Sequence, residues 1–287
     1  MIKTTLELGA ILMYYGIVYS VNDPAGKGVA GKLIEILGFR ECSICRDAVT
    51  CYCGENYVLA GFKEDVIYFD FLDQRLPGEV THYIVLSRHS SARKVKSYTV
   101  HHTGNPGPEA PYGGKPRSLA VASPCVTYTL LLLLRKYAVE YGRLGEYEVS
   151  YEATHHGPTE ANKPLTFIEI GSTLEEWVDG INHLVLANAV MELLNKGLVK
   201  CKPVLGIGGG HYPRKHTRKA FEDGYCYGHI FAKYALQYLD KEILHQAIKR
   251  SEPAPQAIVV EKKGTRREHR VLIEGFASSH GLVVEYI

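Results

Sequence analysis

Short apolar runs rich in β-branched residues alternate along the chain with longer stretches whose apolar positions recur at helical spacing, which predicts an α/β protein. Strands are expected at 11–19, 66–71, 82–86, 119–122, 147–153, 166–170, 204–207, 225–230, 257–260 and 282–286. Helices are expected at 30–37, 125–141, 174–195, 217–222, 241–249 and 265–278. Glu175 and Glu176 follow Ser172 and Thr173 at the start of the 174–195 helix, where an N-cap and acidic first-turn residues suit the helix dipole. No repeat, low-complexity linker or composition shift divides the chain. The expected architecture is therefore one domain, 1–287, with a mostly parallel mixed sheet in a three-layer α/β/α arrangement.

Two apolar segments need a separate reading. The 17 residues 118–134 carry no charge and end in five leucines, just short of the roughly 20 residues a membrane span needs. Pro124 divides them into a strand, a helix start and a buried helix. Residues 1–20 have an apolar centre, but Glu7 interrupts its approach and no small-residue cleavage site follows. A cytoplasmic protein without a membrane partner is expected.

With 46% hydrophobic and 22% charged residues, the composition excludes disordered, collagen-like and coiled-coil classes. The 33 Lys and Arg against 31 Asp and Glu leave +2, which excludes a uniformly basic nucleic-acid-binding surface. Basic residues nevertheless cluster locally: Arg88, Arg93, Lys94 and Lys96 around His89; Lys115 and Arg117; Arg214, Lys215, Arg218 and Lys219 after His211. Such patches suit a phosphate backbone as well as they suit solvated faces. The run Lys262, Lys263, Arg266, Arg267 and Arg270 reads most simply as a solvated helix start. Cys42, Cys45, Cys51 and Cys53 could close a structural zinc site, form disulfides, or remain thiols. Seven cysteines without a secretory signal make a full disulfide framework unexpected.

The 13 His and 28 Gly give the chain its chemistry. Three Gly- or Pro-rich loops carry histidines after expected strands or between them: residues 101–115, 152–160 and 208–213. Ligands of open α/β sheets bind beyond the strands' carboxyl ends, so these loops are expected to converge. His155 and His156 with Glu152 and Glu160 form the densest set of ligand types, and His89, His101, His211 and His229 could join them. Imidazole and carboxylate suit zinc. Adjacent histidines in an extended segment point apart, so only one of His155 and His156 is expected in a given coordination sphere, leaving the other for proton transfer. The segment from Gly26 to Lys32 matches G-x4-G-K, but Leu33 stands where a P-loop needs Ser or Thr. The glycines from Gly206 to Gly210 match a dinucleotide loop only weakly, since a histidine and Pro213 follow.

The motifs Ser87-Arg88-His89-Ser90-Ser91, His101 with Thr103-Gly104-Asn105, Tyr112-Gly113-Gly114, Glu152-Ala153-Thr154-His155-His156-Gly157-Pro158-Thr159-Glu160, Phe167-Ile168-Glu169-Ile170-Gly171-Ser172 and Gly206-Ile207-Gly208-Gly209-Gly210-His211-Tyr212 together resemble the archaeal and plant type of D-aminoacyl-tRNA deacylase. The match runs in order from Tyr19-Ser20 through Gly228-His229-Ile230 and onward. It implies a hydrolase that binds two zinc ions and cleaves the ester between a D-amino acid, such as D-tyrosine, and the terminal ribose of tRNA. The implied fold is a single α/β/α domain related to phosphorylases and peptidyl-tRNA hydrolase. On these motifs stand His89, His101, Glu152, His155, His156, Glu160, Glu169, His211, Lys215 and His229. Zinc is expected on a subset of His101, His155, His156 and His211 with Glu152 or Glu160. Catalytic roles are expected for His89, His156, Glu160, Glu169, Lys215 and His229, and an oxyanion role for the amides of Gly208, Gly209 and Gly210. A monomer acting on D-aminoacyl-tRNA follows. His102 departs from the family pattern, and so does the Cys42, Cys45, Cys51 and Cys53 cluster. Two other readings stay open: a metallopeptidase or amidohydrolase on small substrates, and a non-catalytic tRNA- or nucleotide-binding protein.

Overall fold

The structure is a computed structural model describing residues 13–287. Residues 11 and 12 of the first expected strand, and most of the 1–20 segment, lie outside the described residues. The first strand, β1 (Tyr15–Ser20), is buried throughout. It leads into α1 (Pro24–Leu37), which starts earlier than the apolar pattern indicates because Asp23 Oδ1 accepts the Ala25 and Gly26 amides at 2.9 and 3.3 Å. The G-x4-G-K segment thus lies inside a helix rather than a phosphate loop. A Cβ on Gly26 would stand 2.5 Å from the Leu86 carbonyl oxygen, so this glycine lets α1 press onto the sheet.

A mixed eight-stranded sheet contains β2 (Arg40–Glu41), β3 (Thr50–Cys53), β4 (Tyr57–Phe62), β5 (His82–Ser90), β6 (Ser97–His101), β9 (Glu148–Tyr151) and β10 (Leu165–Ser172) besides β1. Its order is β2-β3-β4-β1-β5-β10-β6-β9. The β2/β3, β3/β4 and β6/β10 pairs are antiparallel and the rest parallel. Between β6 and β9 run the short pair β7 (Gly104–Asn105) and β8 (Ser118–Leu119), and the helix α3 (Pro124–Glu140). One face is covered by α1, α3 and α5 (Gly180–Lys196), whose buried side chains share one apolar cluster with the strands. The opposite face carries the turn Val66–Tyr68 and the short helix α2 (Leu72–Arg75), which bury Phe62, Phe69 and Leu72.

The remainder of the chain forms a second sheet, not foreseen from the pattern. Its parallel strands β11 (Lys202–Ile207), β12 (Tyr225–Phe231), β13 (Ala257–Val260) and β14 (Val283–Tyr286) lie in the order β12-β11-β13-β14. Helix α6 (Arg214–Asp223) connects β11 to β12, while α7 (Lys241–Lys249) and α8 (Arg267–Ser279) pack their apolar faces on Leu205, Ile207 and Ile258. The α/β class and the mostly parallel mixed pairing agree with the hydrophobic pattern; the single sheet does not. The two sheets meet at a seam where the Thr154 amide donates to Ile230 O at 2.8 Å and the Ala153 amide to His211 O at 2.9 Å. The apolar cluster beneath α3 continues into β11, β12 and β13 through Val204, Tyr227 and Val259.

Several local expectations change for identifiable reasons. The expected strand at 66–71 is a turn because Asp65 caps it, accepting the Ile67 amide, and Asp70 turns away to bind a loop described below. The expected helix 174–195 breaks into α4 (Leu174–Val178) and α5, because Asp179 adopts ψ 116° and its carboxylate caps the Ile181 amide at 2.8 Å. The cysteines pair as Cys42–Cys53, Cys45–Cys51 and Cys201–Cys226, leaving Cys125 free. This corrects the expectation that no full disulfide framework forms. Among the described residues no helix is long and apolar enough to cross a membrane.

Candidate active site

Five segments deliver titratable side chains to one place beside the seam. His89 comes from the carboxyl end of β5, His101 from the end of β6, and Glu169 from the otherwise uncharged, buried strand β10. Glu152, His155 and His156 come from the loop after β9, and His211 from the loop after β11. His89, Glu152 and His211 each offer a ligand atom within 4.8 Å of the others, and so do His101, His155 and His156. A third set, His101, Glu152 and Glu169, meets the same limit and joins the first two.

Both consecutive histidines enter the cluster, contrary to the extended-strand expectation. His156 has φ 43°, and this left-handed turn brings its ring within 4.3 Å of the His155 ring rather than to the far side of the chain. Close loop packing accompanies the turn, since a Cβ on the following Gly157 would lie 2.3 Å from the backbone of Gly113 and Gly114. The Asp70 carboxylate accepts the Thr159 and Glu160 amides at 2.8 and 2.9 Å, and Thr159 Oγ1 accepts the Lys115 amide at 2.8 Å. Two of the three expected loops are therefore stitched together around the cluster.

Ring orientation is set by the outer nitrogens. Nδ1 of His155 lies 2.7 Å from Ala153 O and Nδ1 of His156 lies 2.6 Å from Gly157 O, so each N–H donates to a carbonyl and the lone pair is left on Nε2. His101 and His156 both pack on Phe167, with ring centroids 5.1 Å away. Tyr212 Oη stands 2.8 Å from His89 Nε2, which leaves His89 Nδ1 facing the carboxylates.

Electrostatics divide the imidazoles. Burial pushes His155 well below its ordinary range and His156 down to about 4, keeping both neutral. Burial would also depress His89, but Glu152 and Glu169 outweigh it and, among protein groups alone, raise it to about 11. Burial opposes ionisation of Glu152, yet His211 and His89 hold its carboxyl well below the usual range.

The donor set fits a metal. Glu152 is buried with its oxygens 2.8 Å from His211 Nε2, 3.0 Å from His89 Nδ1 and 3.6 Å from His155 Nε2, yet neither oxygen has a properly aligned hydrogen bond among the described residues. The same holds for Glu169 Oε2 and His101 Nε2, 3.5 Å apart. Buried carboxylates without aligned donors are costly, and imidazole and carboxylate atoms facing one another provide what divalent cations require. His89, His155, His156, Glu169 and His211 also line a cavity of ≈ 570 Å³ shared with Asp23, Asp65, Ile67, Arg88 and Tyr112. Burial pushes Asp23 up to about 6, although the Arg88 amide donates to it at 2.8 Å.

Other expected site residues lie elsewhere. Glu160 is turned outward, pairing with Lys115. His229 is fully buried behind Thr154, its Nδ1 3.2 Å from the threonine hydroxyl, and burial lowers it to about 3. Lys215 reaches toward Glu261 at 3.8 Å on the other side of the 208–213 loop. The Gly208 amide donates to Phe231 O at 2.8 Å, and Gly209 and Gly210 line a different cavity, so these glycines do not face the cluster. Buried His102 accepts the Ser123 amide at 3.0 Å, a core contact. The sequence reading passed over Tyr212 as an orienting group, although it directly follows His211, and Tyr234, which no motif marks.

Fold and site together describe an α/β protein with a buried histidine–carboxylate cluster at the strand ends. Residues 77–285 match the D-aminoacyl-tRNA deacylase family. A protein named D-aminoacyl-tRNA deacylase from Staphylothermus marinus is 64% identical over 273 residues, covering 95% of this chain and 99% of that protein. One of the same name from Desulfurococcus amylolyticus is 55% identical with the same coverage. The crystal structure of a conserved protein of unknown function superposes with a TM-score of 0.89 at 33% identity, covering 96% of this chain and 95% of its own. The chain belongs to the D-aminoacyl-tRNA deacylase family, and it is a hydrolase.

Proposed function

We propose that this chain hydrolyses the ester between a D-amino acid, D-tyrosine among them, and the terminal ribose of tRNA, using two zinc ions. The observation that carries the reading is the pair of three-donor sets, His101, His155, His156 and His89, Glu152, His211, linked through Glu169 beside a cavity that His89, His155, His156, Glu169 and His211 line. His101, His155 and His156 would hold one ion; His89, Glu152 and His211 the other. Zinc, when bound, supplies Lewis acidity toward water and the ester carbonyl. The chain's own groups do the rest. Carbonyls of Ala153 and Gly157 hold the imidazole tautomers, and Tyr212 orients His89. Ile67 and Tyr112 wall the cavity, and the Asp23 carboxyl, raised to about 6, can exchange a proton there more readily than an ordinary aspartate. The reading needs no residue from a second copy, and action as a monomer is part of the proposal.

Matched D- and L-tyrosyl-tRNA test the reading. The purified protein is expected to carry two zinc ions per chain by mass spectrometry and to release D-tyrosine faster than L-tyrosine. Chelation should abolish release and added zinc restore it. Full activity after verified metal removal would overturn the zinc assignment.

A further inference from the structure

A second cavity of ≈ 540 Å³ lies against the outer wall of the donor cluster, between the loop after β11 and residues Lys233, Glu261, Lys263 and Gly264. His211 separates the two spaces: its ring belongs to the cluster, while its neighbours Gly210 and Tyr212 line the outer cavity. Lys233 and Gly264 also form the wall of a further cavity of ≈ 740 Å³ bordered by Tyr234 and Arg266. Together, through these two shared residues, they make one groove beside the donor cluster.

The first part of the groove is cationic, whereas in the second Arg266 pairs with Glu268 at 3.7 Å. Lys215, Lys233 and Lys263 line its first part against one carboxylate, Glu261, which lies 3.8 Å from Lys215. Lys233 and Lys263 are exposed and have no carboxylate within ion-pair distance among the described residues. Arg214 is not free to contribute, since both its Nε and Nη2 bind Glu148, at 2.8 and 2.7 Å. Lys263 and Arg266 belong to the basic run that the sequence alone presents as a solvated helix start. Aromatic rings connect the groove to the cluster: Tyr212 through its hydroxyl to His89, and half-exposed Tyr234 through its hydroxyl, 3.4 Å from His211 Nδ1. Unpaired ammonium groups in a track with an accessible aromatic face suit a single-stranded nucleic acid, whose phosphates the cations meet and whose bases stack.

We propose that the single-stranded 3′ end of tRNA leaves the reaction centre past Tyr212 and lies in this groove, with its last phosphates on Lys215, Lys233 and Lys263 and a base on Tyr234. The proposal rests on the deacylase reading and specifies where that substrate's nucleic-acid portion binds.

The test uses the full-length, zinc-loaded protein, with uncharged tRNA binding followed by anisotropy across a salt series and D-tyrosyl-tRNA kinetics alongside. In K233A/K263A, affinity is expected to fall about tenfold, and the slope of log K against log salt to shrink by about 1.4, roughly 0.7 per single-strand phosphate contact. KM should rise in step while kcat stays within about twofold. Y234A should weaken binding without changing the salt slope. K219A, whose ammonium is paired with Asp223 at 2.6 Å on α6, should match the parent. Parental affinity and slope in K233A/K263A, or equal affinity of the parent for tRNA lacking its 3′-terminal nucleotides, would overturn the groove assignment alone. A parent that neither binds tRNA nor releases D-tyrosine would overturn the deacylase reading and the groove with it.

Discussion

A single left-handed residue lets two consecutive histidines serve one centre. With His156 at φ 43°, the His155 and His156 rings both pack against His101, at 4.5 and 5.0 Å between centroids. Residue types alone could not reveal this, because an extended chain sends neighbouring side chains to opposite faces. Orientation by outer contacts matters at the same scale. Removing the hydroxyl with Tyr212→Phe leaves His89 Nε2 without its 2.8 Å partner. Zinc affinity is expected to fall about 10- to 100-fold, the range for lost contacts behind a metal ligand, measured by competition with a chelating dye. Unchanged affinity would show that Tyr212 serves only the groove. Glu169 was legible only through its place in the Phe167-Ile168-Glu169-Ile170-Gly171-Ser172 motif; the structure supplies the physical reason, a carboxylate in the buried strand Leu165–Ser172, where only a partner can offset its desolvation.

At the scale of elements, the helices follow the apolar periodicity well, and departures come from short-range polar contacts that periodicity does not contain. Asp23 lengthens α1 at its start, and Asp179 splits α4 from α5. The strands β3, β4 and β6 escaped notice because they are short and flanked by cysteines or basic residues whose composition resembles loops. Disulfides then stabilise what propensity leaves weak. Cys201 and Cys226 clamp neighbouring parallel strands of the small sheet across 25 residues. Replacing both by Ser is expected to cost about 3 kcal/mol and lower the Tm in non-reducing buffer. The double substitution is needed because Cys125 Sγ lies 3.5 Å from Cys201 Sγ and could otherwise pair with it. An unchanged Tm would mean that the bond adds nothing to the packing of β11 on β12.

For the molecule as a whole, burial of imidazoles away from the cluster sets an acid limit. Burial lowers His82 and His216 to about 4 and His229 to about 3. In the unfolded chain these groups titrate near 6.5, so below that pH the unfolded state takes up protons that the folded state refuses. The contribution of these three imidazoles is expected to be constant above about pH 7 and to fall as pH drops from about 6.5 toward 4, by up to about 3 kcal/mol for each such residue. Thermal unfolding between pH 7 and 5 measures this, and His216→Gln should remove part of the slope; a flat profile would contradict neutral burial.

The order of residues by itself determined the α/β class and the three histidine-bearing loops, because hydrophobic periodicity and ligand-type residues are properties of the chain. Only the tertiary structure decided that there are two sheets and that the centre sits where they meet. Glu152 and His211, 59 positions apart in numbering (211 − 152), face each other because the Ala153 amide bonds to His211 O across the seam. The same packing turned Glu160 outward, sealed His229 in the core and carried Lys215 to the groove. Which members of a motif converge depends on contacts between segments distant in sequence, and those contacts exist only once the sheets have docked.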